Sequence, residues 1–225
     1  ESLAKMQGEK NIIGIHSKKL KQMISIYKIK PKFQKTLMPL LKILRKLRVS
    51  PNAITILSIL LSILISYFFW NSSNNSLYFL FVAFGLLLRM MLNALDGMMA
   101  RIYNLKSQLG EVLNELGDIV SDVIIYFPLI LFESLKIEIT IIFIILSIIN
   151  EFCGLLGKII NGERRYEGPM GKSDRAFLIG GVCIIFYFTN ELNNYMNYLI
   201  GGACLLIILS SYIRITKSLN NETNN

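Results

Sequence analysis

The sequence predicts an all-α integral membrane protein with six transmembrane helices, preceded by an N-terminal amphipathic helix at the membrane interface. Of its 225 residues, 53% are hydrophobic and only 17% are charged, whereas soluble domains average about 45–50% and about 25%. The apolar residues gather in six blocks, most of them close to the roughly 20 residues that a helix needs to cross a bilayer. The connections between the blocks alternate between poor and rich in Lys and Arg.

The six blocks define the predicted spans. They cover residues 54–70, 77–93, 112–132, 137–160, 176–189 and 195–213. The fifth is short, and we expect it to extend at either end. Polar, turn-rich segments separate the blocks.

The basic residues indicate which connections face the cytoplasm. Segments 71–76, 133–136 and 190–194 hold a single basic residue, Lys136, whereas thirteen Lys and Arg precede residue 50. By the positive-inside rule, both termini and the loops after helices two and four are cytoplasmic. The net charge of +9 therefore reflects topology, and without a soluble basic domain we expect no nucleic-acid partner.

The chain before the first span divides in two. Residues 1–22 show little amphipathic period, and we interpret them as a flexible arm or the remnant of a tag. Residues 23–50 predict an amphipathic juxtamembrane helix on an anionic leaflet. Its apolar face would comprise Phe33, Leu37, Leu40, Leu41, Leu44 and Leu47. Pro51 and Asn52 would then turn the chain into the first span.

Several classes of site can be set aside. Cys153, Cys183 and Cys204 lie in separate apolar blocks without CxxC spacing, which indicates packing residues. The only His, His16, falls in the arm, which argues against His-based catalysis. The sequence contains no GxSxG, P-loop or HExxH motif. No internal repeat is evident, which weakens a transporter built from two homologous halves.

The stretch NALDGMMARIYNLKSQLGEVLNELGD, residues 93–118, is polar within an apolar chain. If helix two continues through Arg101, one of its faces carries Asn93, Asp96, Gly97, Ala100 and Arg101. If helix three begins near Gly110, a second stripe carries Gly110, Asn114, Asp118 and Asp122. The hairpin would bring the two stripes together.

Carboxylates inside a spanning helix are costly and mark a functional site by default. Oxygen ligands without His or Cys suit Mg²⁺ or Mn²⁺ bound together with substrate phosphates. Gly97, Ala100 and Gly110 leave room for close approach to the backbone. The alternative is that these polar groups only join helices by hydrogen bonds.

The stretch resembles the signature of the CDP-alcohol phosphotransferases, also called CDP-alcohol phosphatidyltransferases: D-x2-D-G-x2-A-R-x8-G-x3-D-x3-D. All eight positions are present with correct spacing, and six are identical. They are Asn93, Asp96, Gly97, Ala100, Arg101, Gly110, Asn114 and Asp118. The likeness extends from about residue 23, since the family has an interfacial helix followed by six spans with a cytoplasmic site.

The resemblance implies a metal-dependent transfer. Family members hold two divalent ions, grip the diphosphate of a CDP-linked donor and let an acceptor hydroxyl displace CMP. By analogy, Asp118 would be the general base. The metal ligands would be Asp96, Asn93, Asn114 and Asp118. Gly97, Ala100, Arg101 and Gly110 would bind the nucleotide and its phosphates, and Asn52 and Thr55 of a PNxxT run would be donor-site neighbours or simply helix-start residues.

Asn93 and Asn114 replace two signature Asp, which should weaken the binding of two dications. Either the site uses one ion, or other acids compensate. The candidates are Glu115, Asp122 and Glu151. The chain is also similar to a bacterial branch of the family with Asn at both positions. The replacement is therefore compatible with an active enzyme or with a catalytically inactive relative.

A second polar segment, GPMGKSDR at 168–175, follows a basic loop. Ser173 or Asp174 could cap the fifth span, with Lys172 and Arg175 near an anion at its N-terminus. Positive-inside charge explains these cations equally well. The resemblance assigns Lys172, Arg175 and Arg165 to the phosphate of an acceptor such as glycerol 3-phosphate or inositol phosphate.

The resulting prediction is a phospholipid-synthesis transferase of the bacterial inner membrane. It would move a phosphatidyl group from CDP-diacylglycerol to an alcohol, with Mg²⁺ or Mn²⁺, or less favourably a phosphoalcohol to diacylglycerol. Residues 51–218 would form the catalytic domain and 219–225 a tail. The other classes are an inactive lipid-binding or scaffold protein and a small cation-coupled transporter. Homodimers are common in the family.

Overall fold

The computed structural model describes residues 30–189 and 191–220. Secondary structure in these two ranges is helical, without strands, which confirms the predicted all-α class. The α-helices are α1 Lys30–Lys46, α2 Pro51–Trp70, α3 Leu77–Ile102, α4 Gln108–Tyr126, α5 Ile137–Asn161, α6 Lys172–Phe188 and α7 Met196–Asn220. Short 3₁₀ helices, Phe127–Leu131 and Glu191–Tyr195, follow α4 and precede α7. The predicted arm 1–22 and the start of the amphipathic helix lie outside the described residues.

Four helical segments of the described chain are long and apolar enough to cross a membrane. They are α2, α3, α5 and the continuous segment Glu191–Asn220. They correspond to predicted spans one, two, four and six. The other two predicted spans coincide with α4 and α6, which are more polar or shorter: α4 carries four carboxylates in 19 residues, and α6 has 17 residues. A count of six spans therefore stays a prediction.

Local capping explains where the site-bearing helices begin. The Ser50 hydroxyl accepts a hydrogen bond from the Ala53 amide at 3.2 Å, and Pro51 occupies the first turn of α2, where its missing N–H costs little. The Ser107 hydroxyl caps α4 in the same way, accepting from the Gly110 amide at 3.0 Å. These two caps determine where α2 and α4 begin beside the polar signature.

The main core packs the interior faces of helices α2 to α7 against one another. Representative buried side chains are Ile65, Val82, Leu86, Ile125, Phe143, Ile179 and Ile207. Large apolar side chains also cover the outer faces, including Leu57, Leu60, Phe84, Ile145 and Leu205. A surface of this kind is typical of helices surrounded by lipid.

Helix α1 uses much of its apolar face within the protein. Leu37 and Leu41 are buried in a second cluster with residues of α2 and α3, such as Ile54 and Leu95. Leu47, from the same predicted face, is 68% exposed. The face predicted to enter the interface therefore packs largely on the bundle, and interfacial binding by α1 stays a prediction.

The loop before α6 makes a close contact with α7 that requires glycine. Gly168 has φ +98°, and a Cβ there would lie 2.6 Å from Ser210 Oγ and 2.7 Å from Ser210 Cα. We expect Gly168→Ala to destabilise the fold by about 1–3 kcal/mol, because it adds both a strained backbone and a clash. A lower Tm of the detergent-solubilised variant would show this. Gly202→Ala is the matched control, since no atom lies within 4 Å of its added Cβ; an equal Tm loss in both variants would contradict the argument.

An open cleft of about 720 Å³ lies between the start of α3 and the end of α6, with Phe79, Phe132 and Phe186 in its wall. Asp96 is 17 residues further along α3 than Phe79, or about 25 Å at 1.5 Å per residue. The cleft is therefore at the opposite end of the bundle from the signature.

Candidate active site

The polar signature residues meet where α2, α3 and α4 converge. Thr55 Oγ1 of α2 donates a hydrogen bond to Asp96 Oδ2 of α3 at 3.0 Å. One turn earlier on α3, Asn93 Oδ1 accepts from Ser58 Oγ at 2.6 Å, and Asn93 Nδ2 donates to Asp118 Oδ1 of α4 at 3.4 Å. The structure thus brings the predicted residues Thr55, Asn93, Asp96 and Asp118 together.

Lys172, the first residue of α6, reaches the same cluster. Its Nζ forms an ion pair with Asp118 Oδ1, the oxygen that also faces the Asn93 amide. Both side chains are largely buried, at 19% and 13% exposure. Asp118 therefore contacts both an ammonium and an amide. Lys172 lies 54 residues after Asp118 in the chain.

The glycines of the signature have different surroundings. A Cβ on Gly110 would lie 2.5 Å from Asn52 Oδ1, so the glycine lets the start of α2 approach α4 closely. A Cβ on Gly97 would lie 3.0 Å from the Arg101 guanidinium. Arg101 is exposed at the end of α3, and Ala100 beside it is half-buried.

Asn114 lies one helical turn before Asp118 and is half-buried. No hydrogen bond to its side chain occurs within the described ranges. We expect Asn114→Asp to fold normally and to bind Mn²⁺ about tenfold more tightly, equivalent to about 1.4 kcal/mol, because a carboxylate is a stronger ligand than an amide. Mn²⁺ titration followed by electron paramagnetic resonance (EPR) measures this. Asn74→Asp in an exposed turn should leave the affinity unchanged; equal gains in both would reject a local effect.

The three predicted compensating acids are all paired with arginine. Glu115 contacts Arg164. Asp122 lies 3.0 Å from Arg89 and 2.8 Å from Arg175. Glu151 Oε2 contacts Arg164 at 2.7 Å and its Oε1 contacts Arg175 at 3.0 Å, with Arg214 at 3.9 Å. These acids form a buried charge network beside the signature, and a metal would have to compete with guanidinium groups for them.

Three arginines of this network, Arg89, Arg164 and Arg214, were not among the predicted site residues. Arg89 is 2% exposed in the middle of α3, and Arg214 is 2% exposed on α7. Arg89 and Arg214 each lie inside or at the end of an apolar block, where an isolated charge is costly and indicates an internal partner. That signal was available in the sequence, although it does not say which acid is the partner.

The predicted phosphate ligands Lys172, Arg175 and Arg165 do not share one environment. Arg175 is fully buried between Asp122 and Glu151. Arg165 faces α7, where Nη2 donates to the Lys217 carbonyl oxygen at 3.4 Å. Only Lys172 of the three contacts a signature residue in the structure as described.

Helix α6 begins at Lys172, four residues before the predicted start. Its N-cap is Gly171, not Ser173 or Asp174 as expected. The Asp174 carboxylate, at the third helical position, accepts a hydrogen bond from the Gly171 amide at 3.1 Å. A residue within the first turn of the helix thus provides a partner for the N-cap amide. The polar residues KSDR are the first four residues of the helix. The apolar pattern of the sequence did not indicate this.

Burial and charged or hydrogen-bonding partners shift the pKa values of two side chains in the loop before α6. Burial acts to lower the pKa of Arg164, but Glu151 and Glu115 outweigh it and hold that pKa above the ordinary value. Burial acts to raise the pKa of Glu167, but backbone amides and Lys217 outweigh it and hold that pKa below its usual range. Both groups therefore stay charged near neutral pH.

The oxygen ligands of the signature suit a divalent ion with few protein ligands. Within 30–189 and 191–220, no group of three or more His, Cys, Asp or Glu is placed to hold a metal. Asp96 and Asp118 supply two carboxylates, and Asn93 and Asn114 add amides in the neighbouring turns. Carboxylate and amide oxygens suit Mg²⁺ or Mn²⁺ when substrate phosphates or water complete the shell. The residues fit a hard cation with few protein ligands.

Comparison with known proteins agrees with the signature. Residues 48–210 match the family described as CDP-alcohol phosphatidyltransferase. The chain is 41% identical over 166 residues to the inner membrane protein YnbA of Escherichia coli K12, covering 73% of this chain and 82% of YnbA.

Two solved structures share the fold. Both are of Mycobacterium tuberculosis phosphatidylinositol phosphate synthase (PgsA1), one with CDP-DAG bound and one in complex with manganese and citrate. The TM-score is 0.65 for each, with 16% and 17% identity, over 80% of this chain and 92% and 88% of those chains. The family match spans most of the chain and includes all eight signature positions. The chain therefore belongs to the CDP-alcohol phosphatidyltransferase family.

Proposed function

We propose that this protein transfers a phosphatidyl group from CDP-diacylglycerol to the hydroxyl of an alcohol and releases CMP. The observation that carries the proposal is that two hydrogen-bonded groups lie on neighbouring turns of α3. One is Asp96 with Thr55, and the other is Asp118 with Asn93 and Lys172. Family membership supports the reaction class. A relative of the same fold that binds CDP-DAG supports the donor.

Asp118 is proposed as the general base. Its Oδ1 is engaged by Lys172 and Asn93, which leaves Oδ2 for the acceptor hydroxyl. The acceptor oxygen would form a bond to the phosphorus that carries diacylglycerol as its proton passes to Asp118. The bond from that phosphorus to the bridging oxygen would break, and its electron pair would leave with CMP.

The donor site is proposed at the ends of α2, α3 and α4. Arg101 would neutralise the diphosphate, and Gly97, Ala100 and Gly110 would allow the nucleotide close to the backbone, with Asn52 and Thr55 beside it. Asp96, Asp118 and Asn114 would hold the divalent ion, and Asn93 would join them if its oxygen turned from Ser58 to the ion. When bound, Mg²⁺ or Mn²⁺ would stabilise charge on the diphosphate and make CMP a better leaving group.

The ion pairs bear on the choice of acceptor. To bind Lys172, the phosphate of glycerol 3-phosphate or inositol phosphate would have to displace the Asp118 carboxylate. To bind Arg175, it would have to displace Asp122 and Glu151. An alcohol without a phosphate requires no such displacement. An acceptor panel of both kinds therefore tests whether the basic residues act on substrate.

The proposed location is a bacterial inner membrane, supported by four apolar helices and by a relative described as an inner membrane protein. We further propose six spans within residues 51–218, with α4 and α6 as the polar ones, and an α1 that lies along the interface. Both termini and the site would face the cytoplasm, as the basic loops favour. We also assign the chain to the branch with Asn at the first and third signature positions, and we propose a homodimer, the form that is common in the family.

The decisive experiment measures CMP release by the purified protein in detergent. The assay contains CDP-diacylglycerol, Mg²⁺ or Mn²⁺, and one alcohol from a panel of glycerol 3-phosphate, inositol phosphate, inositol, glycerol and serine. We expect metal-dependent CMP with one acceptor and a matching lipid product. Folded protein that releases no CMP with any of them would reject the proposal.

The two Asn favour one competing function, a catalytically inactive lipid-binding relative. Such a protein would bind CDP-diacylglycerol without releasing CMP. Binding measured with a non-hydrolysable analogue, next to the release assay, separates the two functions.

A further inference from the structure

Lys172 occupies an unusual place among the charged pairs of this protein. Its ammonium contacts Asp118, the last signature position, on the oxygen that also accepts from the Asn93 amide. The neighbouring acids Asp122 and Glu151, by contrast, are paired with arginines. Lysine presents a compact point charge, whereas arginine presents a planar fork. The cation that contacts the signature carboxylate Asp118 is thus compact, and in that respect it resembles a metal ion more than a guanidinium does.

The formal charge of the site favours the same interpretation. A signature with four Asp carries four negative charges, which two divalent ions balance. Here Asp96 and Asp118 carry two and Lys172 returns one, so one net negative charge is left. One divalent ion would bring the site to +1, opposite a diphosphate, whereas two would bring it to +3. Crowding of like charge in a partly buried site is strongly unfavourable.

Asn93 is oriented as a hydrogen-bond donor to Asp118. Its Nδ2 faces Asp118 Oδ1, while its carbonyl oxygen is taken by Ser58 Oγ at 2.6 Å. An amide that served a second ion would turn its oxygen toward that ion. Asn93 and Lys172 instead share Asp118 Oδ1, so a second ion would have to compete with two donors for that oxygen.

We propose that Lys172 is a built-in counter-ion of the signature that takes the place of a second divalent ion, so that the site binds one divalent ion per chain. This inference rests on the proposed function for the metal-dependent nature of the site. The acceptor-phosphate role predicted for Lys172 becomes secondary, because its ammonium is committed to Asp118.

The test counts Mn²⁺ bound per chain in detergent-purified protein by EPR titration. We expect one ion for the native chain. The variant Lys172→Met with Asn93→Asp and Asn114→Asp restores four carboxylates and removes the ammonium, and it should bind two. Ions that share such a site lie about 3.5–4 Å apart, so this variant should also show the spin-coupled spectrum of a manganese pair, which the native protein lacks.

Lys158→Met is the matched control, because Lys158 pairs with Glu111 near the protein surface. It should bind one ion, like the native chain. Native protein that binds two ions, or none, overturns the inference. A folded triple variant that still binds one ion overturns it as well. The variant Lys172→Arg keeps the positive charge, and it should bind one ion.

The outcome is separable from that of the proposed function. Two ions together with CMP release would refute the counter-ion role and leave the transferase standing. One ion without CMP release would leave the counter-ion role standing and refute the transferase.

Discussion

Replacing Asp118 with Asn is expected to lower metal-dependent CMP release by at least about 100-fold, the usual minimum for removal of a general base. The change keeps the size of the side chain and both contacts of its Oδ1 position, since an amide oxygen can still accept from Lys172 and Asn93. It removes the basicity needed to accept the hydroxyl proton. Initial rates across the acceptor panel, with the Tm recorded in the same detergent, measure the effect.

The variant Asp96→Asn separates loss of the metal from loss of the base. It should abolish turnover as well, but through lost Mn²⁺ affinity, whereas Asp118→Asn should retain more of that affinity because Asp96 remains. Glu138→Gln is the control, since this carboxylate is exposed at the start of α5. Unchanged turnover in a folded Asp118→Asn protein would exclude Asp118 as the base.

Arg175→Met is expected to cause the largest loss of stability, about 3 kcal/mol. Breaking a buried ion pair from one side costs about 3–5 kcal/mol, and we place this variant at the lower end because both acids keep another arginine. Asp122 retains Arg89 at 3.0 Å, and Glu151 retains Arg164 at 2.7 Å. Denaturant unfolding of the variant in detergent micelles gives the change in the free energy of unfolding.

Lys217→Met is the matched control. Its pair with Glu167 is partly exposed, at 41% and 34%, and pairs of this kind contribute about 0–1 kcal/mol. Similar destabilisation in the two variants would mean that burial of the Arg175 network is not what matters.

The sequence predicted the helix bounds well where apolar residues are continuous. The block 137–160 coincides with α5 Ile137–Asn161, and the start of the block at 77 coincides with the start of α3. The block ended at 93, however, because the polar signature interrupts the apolar run while the helix continues to Ile102. Lys172 was placed outside its helix for the same reason, since apolar content says little about a helix end built from charged residues.

The sequence indicated which polar side chains come together, but much less how they pair. The spacing from Asn93 to Asp118 identified residues that do converge, because helical periodicity places them on facing stripes. The partners of the acids come from distant helices: Arg175 reaches Asp122 from 53 residues away, and Lys172 reaches Asp118 from 54. One-dimensional patterns do not encode which helix packs beside which, so these ion pairs required the three-dimensional arrangement.

The buried ion pairs also constrain the order in which the chain can assemble during synthesis. Helix α4 carries Glu111, Glu115, Asp118 and Asp122, and insertion of each unpaired acid into lipid is expensive. Arg89 emerges from the ribosome before Asp122 and can neutralise it early, whereas Lys172 and Arg175 emerge more than 50 residues later. If α4 spans the membrane as proposed, it should therefore remain at the bilayer surface or in the translocon until α6 is made. Formation of the polar site and full insertion of α4 would then be a single late event in biogenesis.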